Sequence, residues 1–237
     1  MDQATWTSCP HGPIVTLGED LYRVEGSLPS GPPLKRVMTI VKRRSGKLLI
    51  HGAIALDAAG MAALEALGEP GELLVPSGFH RLDAPRYVAR YPSLRVYCPR
   101  GARKRVEKVV PVTGTVDDLE ADDQVRAIHF GGTGEQEACL FVRTPEGTTI
   151  VLNDMLFNMD HLPGLQGFIL KHVTQSSGGP RVSRLARIGL VKDRAEARRA
   201  FEELARTPGL VRVIVAHHED ITGDPAGVLR RVAASLG

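Results

Sequence analysis

Five side chains in this sequence have the chemical types and the settings for metal or acid–base chemistry: His80, Asp83, Glu137, Asp154 and His217. Asp154 is the most exacting of them. The stretch Thr149-Ile-Val-Leu-Asn-Asp-Met-Leu-Phe-Asn158 runs from an apolar strand into this carboxylate and then into a second apolar patch. A carboxylate in such surroundings is costly unless a cation, a metal ion or hydrogen-bond donors compensate it. A second strand, Val211-Arg-Val-Ile-Val-Ala216, ends on His217-His218-Glu219-Asp220. His80 and Asp83 lie in the polar loop after a third strand, and Glu137 lies beyond a fourth. In an open α/β architecture the loops beyond strand ends are where polar groups converge on ligands. Two imidazoles with two or three carboxylates suit one divalent ion, and the mixed nitrogen and oxygen set fits zinc, iron or manganese. An open position on such an ion lowers the pKa of bound water towards about 7 and creates a nucleophile.

Each residue also has a plainer reading. His80 can be a loop histidine hydrogen-bonded to backbone. Asp83 is placed to cap the helix that follows it. Asp154 can accept backbone N–H groups after its strand, and Glu137 can be an exposed strand start. His218 points away from whatever His217 faces, because neighbours at a strand end alternate. His51 and His129 read as strand-end histidines with no special role. Gly131-Gly-Thr-Gly134 precedes a strand and so lacks the helix N-terminus of a phosphate cradle. Ser176-Ser-Gly-Gly reads as a flexible loop and not a nucleophile elbow.

The elements that must carry these residues alternate in type. Pro13 to Leu17 and Leu21 to Glu25 read as paired strands, as do Val37 to Lys42 and Lys47 to His51, with Pro32 and Pro33 between the pairs. Asp57 caps a helix to about Leu67, and a strand runs from Glu72 to Pro76. A short helix from Ala84 to Tyr91 has Pro85 in its first turn, and Leu94 to Cys98 is a strand. Strands follow at Val125 to His129, Ala138 to Val142 and Thr148 to Asn153. Residues 160 to 190, with several glycines and prolines, read as a loop-rich insertion over one face. Asp193 opens a helix, with Glu196 placed to complete a capping box, and Asp224-Pro225 opens the last one. Hairpins mixed with crossover helices imply a layered α/β fold, read as a single domain over 1–237.

Composition narrows the partners. The chain has 237 residues and a formal charge of only +3, and aromatics make up 5%, which leaves little to stack bases on. The basic clusters Lys35 to Lys47, Arg95 to Lys108 and Arg181 to Arg206 therefore read as solvated faces, and nucleic acid is not an expected partner. Three unspaced cysteines (Cys9, Cys98, Cys139) argue against a disulfide framework and fit a reducing cytoplasm. No signal peptide is visible and no apolar run reaches membrane-spanning length, so no membrane partner is expected.

The order of elements resembles the metallo-β-lactamase fold, an αββα sandwich, from about Leu21 to Asp220. Ser45-Gly-Lys-Leu-Leu-Ile-His51 sits where that superfamily has a glycine, a strand and an acidic residue. Pro76-Ser-Gly-Phe-His-Arg-Leu-Asp83 sits at its histidine-rich metal loop, and Tyr91-Pro-Ser-Leu-Arg-Val-Tyr-Cys-Pro99 at the proline and strand beyond. Asp154 matches the bridging aspartate and His217 the last histidine. The chain is most similar to a branch whose metal loop reads Arg-Phe-His-His. It departs from the usual pattern in having one loop histidine, His80, which takes the second histidine position. Asp83 lies near the third. Ser77 or Gly78 stands at the first, and Leu82 or Ala84 replaces the water-activating aspartate. The turn Phe130-Gly-Gly-Thr-Gly-Glu-Gln-Glu137 lacks the next histidine, for which Glu135 or Glu137 could substitute.

Two functions follow from the resemblance. One is a metal-dependent hydrolase with a one-metal site of His80, Asp154 and His217, completed by Glu137 or Asp83, acting on a small ester, thioester, lactone or phosphoester. The other is a non-catalytic binding or scaffold protein that kept the sandwich and lost the metal.

Overall fold

The computed structural model describes residues 6–30 and 34–237. The expected role of Pro32 and Pro33 as a break between hairpins lies outside the described residues. Two sheets face one another. The larger is ordered β1 (Val15–Gly18), β2 (Leu21–Ser27), β3 (Lys35–Lys42), β4 (Leu48–His51), β5 (Pro70–Leu74), β6 (Arg95–Cys98) and β7 (Gly114–Thr115). Its first four strands pair antiparallel and its last four parallel. The crossovers carry α1 (Ala58–Leu67), α2 (Ala84–Arg90) and α3 (Arg103–Val106). The smaller sheet contains β8 (Val125–His129), β9 (Ala138–Thr144) and β10 (Gly147–Leu152), with β11 (Leu210–Val215) beside β10. Over its outer face lie α5 (Arg184–Gly189), α6 (Arg194–Leu204) and α7 (Pro225–Ala234), and α4 (Gly164–Phe168) precedes them in the chain.

Strand alternation sorts the apolar side chains into three layers of core. In β4, Leu48 and Ile50 join the helix-side cluster with Met61, Leu64 and Tyr87, while Leu49 faces the other sheet. In β10 and β11 the same division sends Ile150, Leu152, Val213 and Val215 towards the outer helices, and Val151 and Ile214 between the sheets. Because both faces of these strands are covered, they read as continuous apolar runs. The resulting order is helices, sheet, sheet, helices.

Aspartates start three of the helices as the sequence implies. The Asp57, Asp193 and Asp224 side chains accept from backbone N–H groups three residues on, at 2.7, 2.9 and 2.8 Å. The capping box at α6 is half formed. The Asp193 N–H goes instead to the Gly132 carbonyl at 3.1 Å, so Glu196 returns no bond. Gly132 itself has φ +77, and a Cβ there would meet Asp193 O and Ala197 N at 2.4 Å. The glycine-rich turn is thus a packing clasp for α6.

Residues 160–190 are more ordered than a loop-rich insertion. α4 runs on into a π-helical turn, Ile169–Val173, and α5 is capped by the Ser183 hydroxyl accepting from Ala186 N at 3.1 Å. Buried Leu170, Val182, Ala186 and Leu190 anchor the segment. Glycines and prolines hid these short helices from a periodicity argument. α3 and β7 are too short for any period to register.

The basic clusters are not simply solvated. Arg36 and Arg43 are buried, paired with Asp83 at 2.8 Å and Glu72 at 3.3 Å. Arg95, Arg100 and Arg103 pair with Glu72, Asp117 and Glu107. Their charge is spent on neighbours within the chain. Cys98 and Cys139 are buried as small apolar residues, and burial pushes the Cys98 thiol up to about 11.

Phe201 anchors the outer core, fully buried and edge-on to Phe130 at 4.9 Å between ring centroids. Phe201→Ala is expected to cost about 3–5 kcal/mol. Urea unfolding should show this as a lower midpoint with an unchanged slope.

Candidate metal centre

The parallel pairing of β10 with β11 places Leu152 opposite Val215, so both strands end at one level. Asp154 and His217 therefore leave the sheet side by side. The loop after β5 is drawn to the same place from the other sheet. Ala138 N donates to the Pro76 carbonyl at 3.0 Å, and Ser77 bridges to Glu137. The two sheets are also tied by Val37 N donating to the Ala216 carbonyl at 3.0 Å.

His80, Asp154 and His217 meet there, with one ligating atom from each lying within 4.8 Å of the others. Asp154 Oδ1 is 2.9 Å from His80 Nε2 and 3.2 Å from His217 Nε2. The side chains are nearly enclosed, Asp154 and His80 being 15% exposed and His217 8%. His217 is held on two sides. Its ring stacks on Phe157 at 5.1 Å, and its Nδ1 lies 2.8 Å from the Lys35 carbonyl. A carbonyl can only accept, so Nδ1 carries a proton, and Nε2 is the nitrogen that faces Asp154. Burial alone would raise the Asp154 pKa. The two imidazoles outweigh it and pull the carboxyl below the usual carboxylate range.

Glu137 stands behind the cluster and not in it. It is completely buried and accepts from Asp154 N at 3.0 Å and Asn153 Nδ2 at 3.2 Å. Burial and then the Asp154 charge push its pKa well above the ordinary value. It is no exposed strand start; it holds the backbone that presents Asp154. Glu135 points elsewhere and pairs with Arg100.

Asp83 is apart from the cluster. It lies at the N-cap position of α2, but its side chain makes no capping bond. It sits between Arg36 and Arg86, each at 2.8 Å, which accounts for its charge without metal or cap. His218 adopts φ +70 and turns aside, its Nε2 3.5 Å from Lys35 N. The supporting groups that residue types alone did not flag are the Lys35 carbonyl, Phe157, Ser77 and Arg36. Lys35 and Arg36 lie in a basic run, Ser77 in the stretch matched to the metal loop and Phe157 in the apolar patch after Asp154, and none of these settings signals a supporting role.

The triad forms part of the wall of a cavity of about 710 Å³. Leu28, Val37, Phe79, Leu82, Ile169 and Leu190 make much of the remaining wall, and Arg36 contributes a charge already committed to Asp83.

With this geometry, solved structures of known proteins can be set beside the chain. A DIM-1 metallo-β-lactamase exposed to ceftazidime superposes with a TM-score of 0.66 at 12% identity, covering 98% of this chain and 100% of the other. The chain has the metallo-β-lactamase fold. The FIM-1 enzyme from Pseudomonas aeruginosa, in its mono-zinc form, gives 0.65 at 9% identity with 96% of each chain covered. A metallo-β-lactamase from Hirschia baltica gives 0.61 at 13% identity over 94% of this chain and 98% of its own. No family model matches the sequence, and no curated protein does.

His51 ends β4 at full burial, and among the described residues neither of its ring nitrogens has a hydrogen-bond partner. Burial, and then the charge of His80, push its pKa from 6.5 to about 3. The unfolded chain therefore binds this proton more readily. The stabilising contribution is complete above the unfolded value and is lost as pH falls from 6.5 towards 3. Across that window the wild type should lose on the order of 4 kcal/mol more than His51→Met, measured by urea unfolding at a series of pH values. Asp83→Ala strands Arg36 in the interior and should cost about 3–5 kcal/mol in the same assay.

Proposed function

We propose that the protein is a metal-dependent hydrolase that holds one divalent ion between His80, Asp154 and His217. The observation that carries this reading is the meeting of three electron-pair donors on one point. His217 Nε2 faces Asp154 Oδ1 at 3.2 Å while its other nitrogen is committed to the Lys35 carbonyl. Two acceptors that close need a cation or a proton between them. Two imidazole nitrogens and a carboxylate oxygen make a ligand set typical of zinc, iron or manganese. The orienting bond on the far side of His217 is the kind of support that metal-binding histidines use.

A divalent ion in this position would supply Lewis acidity and lower the pKa of a bound water. The chain's own residues hold and orient. Asp154 and the two histidines fix the position, Glu137 and Asn153 fix Asp154, and the apolar wall excludes solvent from the reacting group. Asp154 is the sole carboxylate on the cavity wall among the described residues; Leu82, which lines it, or Ala84 stands where the resemblance sets a water-activating aspartate. Arg36 is neutralised by Asp83, so the cavity offers little countercharge to a phosphate dianion. Within the expected set of small esters, thioesters, lactones and phosphoesters, the apolar wall favours the acyl substrates.

A second reading has its own support. The turn from Gly131 to Gly134 clasps α6, and His51, without a hydrogen-bond partner among the described residues, stands where the resemblance sets an acid. In a binding protein that had lost its metal, a proton would fill the gap between Asp154 and the imidazoles.

Elemental analysis of purified protein separates the two. The hydrolase reading expects about one divalent ion per chain, with Asp154→Ala losing it and losing hydrolysis of acyl esters by at least about a hundredfold. A well-folded, metal-free wild type whose properties Asp154→Ala leaves unchanged would falsify it. Metal content should survive Asp83→Ala, because Asp83 belongs to the arginine pair.

A further inference from the structure

The segment from His161 to Lys192 has an unusual charge pattern. It contains Lys171, Arg181, Arg184, Arg187 and Lys192 and not one aspartate or glutamate, in a chain that has 27 acidic residues in 237. Elsewhere many of the arginines, among them Arg36, Arg43, Arg95 and Arg100, pair with carboxylates. Here Arg181, Arg187 and Lys192 reach only carbonyls or a hydroxyl, at Gly178, Val182, Ser235 and Gly189.

The same segment exposes apolar surface. Among the described residues eleven large apolar side chains are exposed, and six of them are here: Leu165, Phe168, Ile169, Val173, Leu185 and Ile188. Leu165, Phe168, Ile169 and Val173 follow one helical face, as do Leu185 and Ile188. Leu165 and Ile188 are 76% and 71% exposed, so they contribute little to the core. Exposed Phe79 and Leu82, and Ile169 and Leu185 from the segment, line the cavity that contains the triad. Ile169 and Leu185 bring the two helices to one cavity wall, and apolar side chains with this little cover mark a place where something docks.

The charge pattern selects the occupant. A second copy of the chain would bring five cations against five cations, which costs energy at close range. A bilayer surface with anionic headgroups offers an apolar layer beneath a layer of phosphates, and exposed apolar residues interleaved with Lys and Arg match both. We propose that the face formed by residues 161–192 docks on an anionic lipid surface, with Leu165, Phe168, Leu185 and Ile188 entering the interface and Lys171, Arg184 and Arg187 meeting the phosphates. The expectation of no membrane partner rests on the lack of a spanning run, and surface docking requires none. Docking stands independently of the metal reading. If that reading holds as well, an apolar acyl substrate passes from the lipid into the cavity without crossing water.

Flotation of the full-length protein with vesicles tests this. Binding to phosphatidylcholine vesicles containing one quarter phosphatidylglycerol should exceed binding to pure phosphatidylcholine by at least about tenfold and weaken with added salt. The combined Leu165→Ser, Phe168→Ser and Ile188→Ser variant replaces exposed side chains only. It should keep its thermal midpoint and lose at least about tenfold in vesicle binding. Lys171→Glu with Arg184→Glu should remove the preference for the anionic vesicles. Asp154→Ala should float as the wild type does, which keeps failure of the metal reading distinct from failure of this one. Absence of flotation by the wild type, or flotation indifferent to both variants, overturns the proposal. So does a dimer in sedimentation equilibrium that the serine variant disperses, since the face then belongs to a second copy.

Discussion

One carboxylate oxygen organises this end of the molecule. Asp154 Oδ1 is shared between His80 and His217, which come from different sheets, and its backbone is held by a second carboxylic group, Glu137. Two buried acids this close cannot both carry charge cheaply. The structure separates them by surroundings: the imidazoles hold Asp154 low, while burial and the Asp154 charge hold Glu137 high against its amide and hydroxyl donors. The loops after β5, β10 and β11 must keep their relation for that arrangement to persist. This makes the register of the two sheets a condition of the site.

The surroundings of the triad are as informative as the triad. Its polar groups are few and inward-facing, and Arg36 is cancelled by Asp83. Most of the rest of the wall is apolar, with Gln166, Thr174, Ser176 and Ser183 as its uncharged polar members, and the segment from α4 to α5 carries the apolar character out to the exposed surface. Recognition in such a space depends on the shape and hydrophobicity of a ligand, with chemistry confined to one corner. The fold is shared with metallo-β-lactamases at 9–13% identity, so the likeness extends to architecture and the site has to be argued from its own residues.

Most of the elements were legible in the chain. Strands β8 to β11 appear as apolar runs bounded by turn residues. Asp57, Asp193 and Asp224 announce their helices because a short acceptor before an apolar period has few other uses. The helices at 164–173 and 184–189 escaped notice because glycine and proline interrupt their period. Arg36 and Arg43 were mistaken for surface because a basic run carries no sign of the acids that will bury it. Among the candidate residues, apolar flanks pointed to Asp154 and strand ends to His80 and His217. Asp83 and Glu137 have the same composition-level credentials, yet they serve as an arginine partner and a backbone acceptor.

The sequence by itself determined the alternation of strands and helices, the polar residues that close the strands, and the acid-free basic stretch from 161 to 192. These are local properties, written in period, turn chemistry and charge. Only the tertiary structure decided which strand ends share a level, that His80 and His217 both reach Oδ1 of Asp154, and that Asp83 turns to Arg36 instead. The physical reason is range. Side chains 74 and 63 positions from Asp154 meet it through sheet register and packing between layers, and no local pattern encodes either.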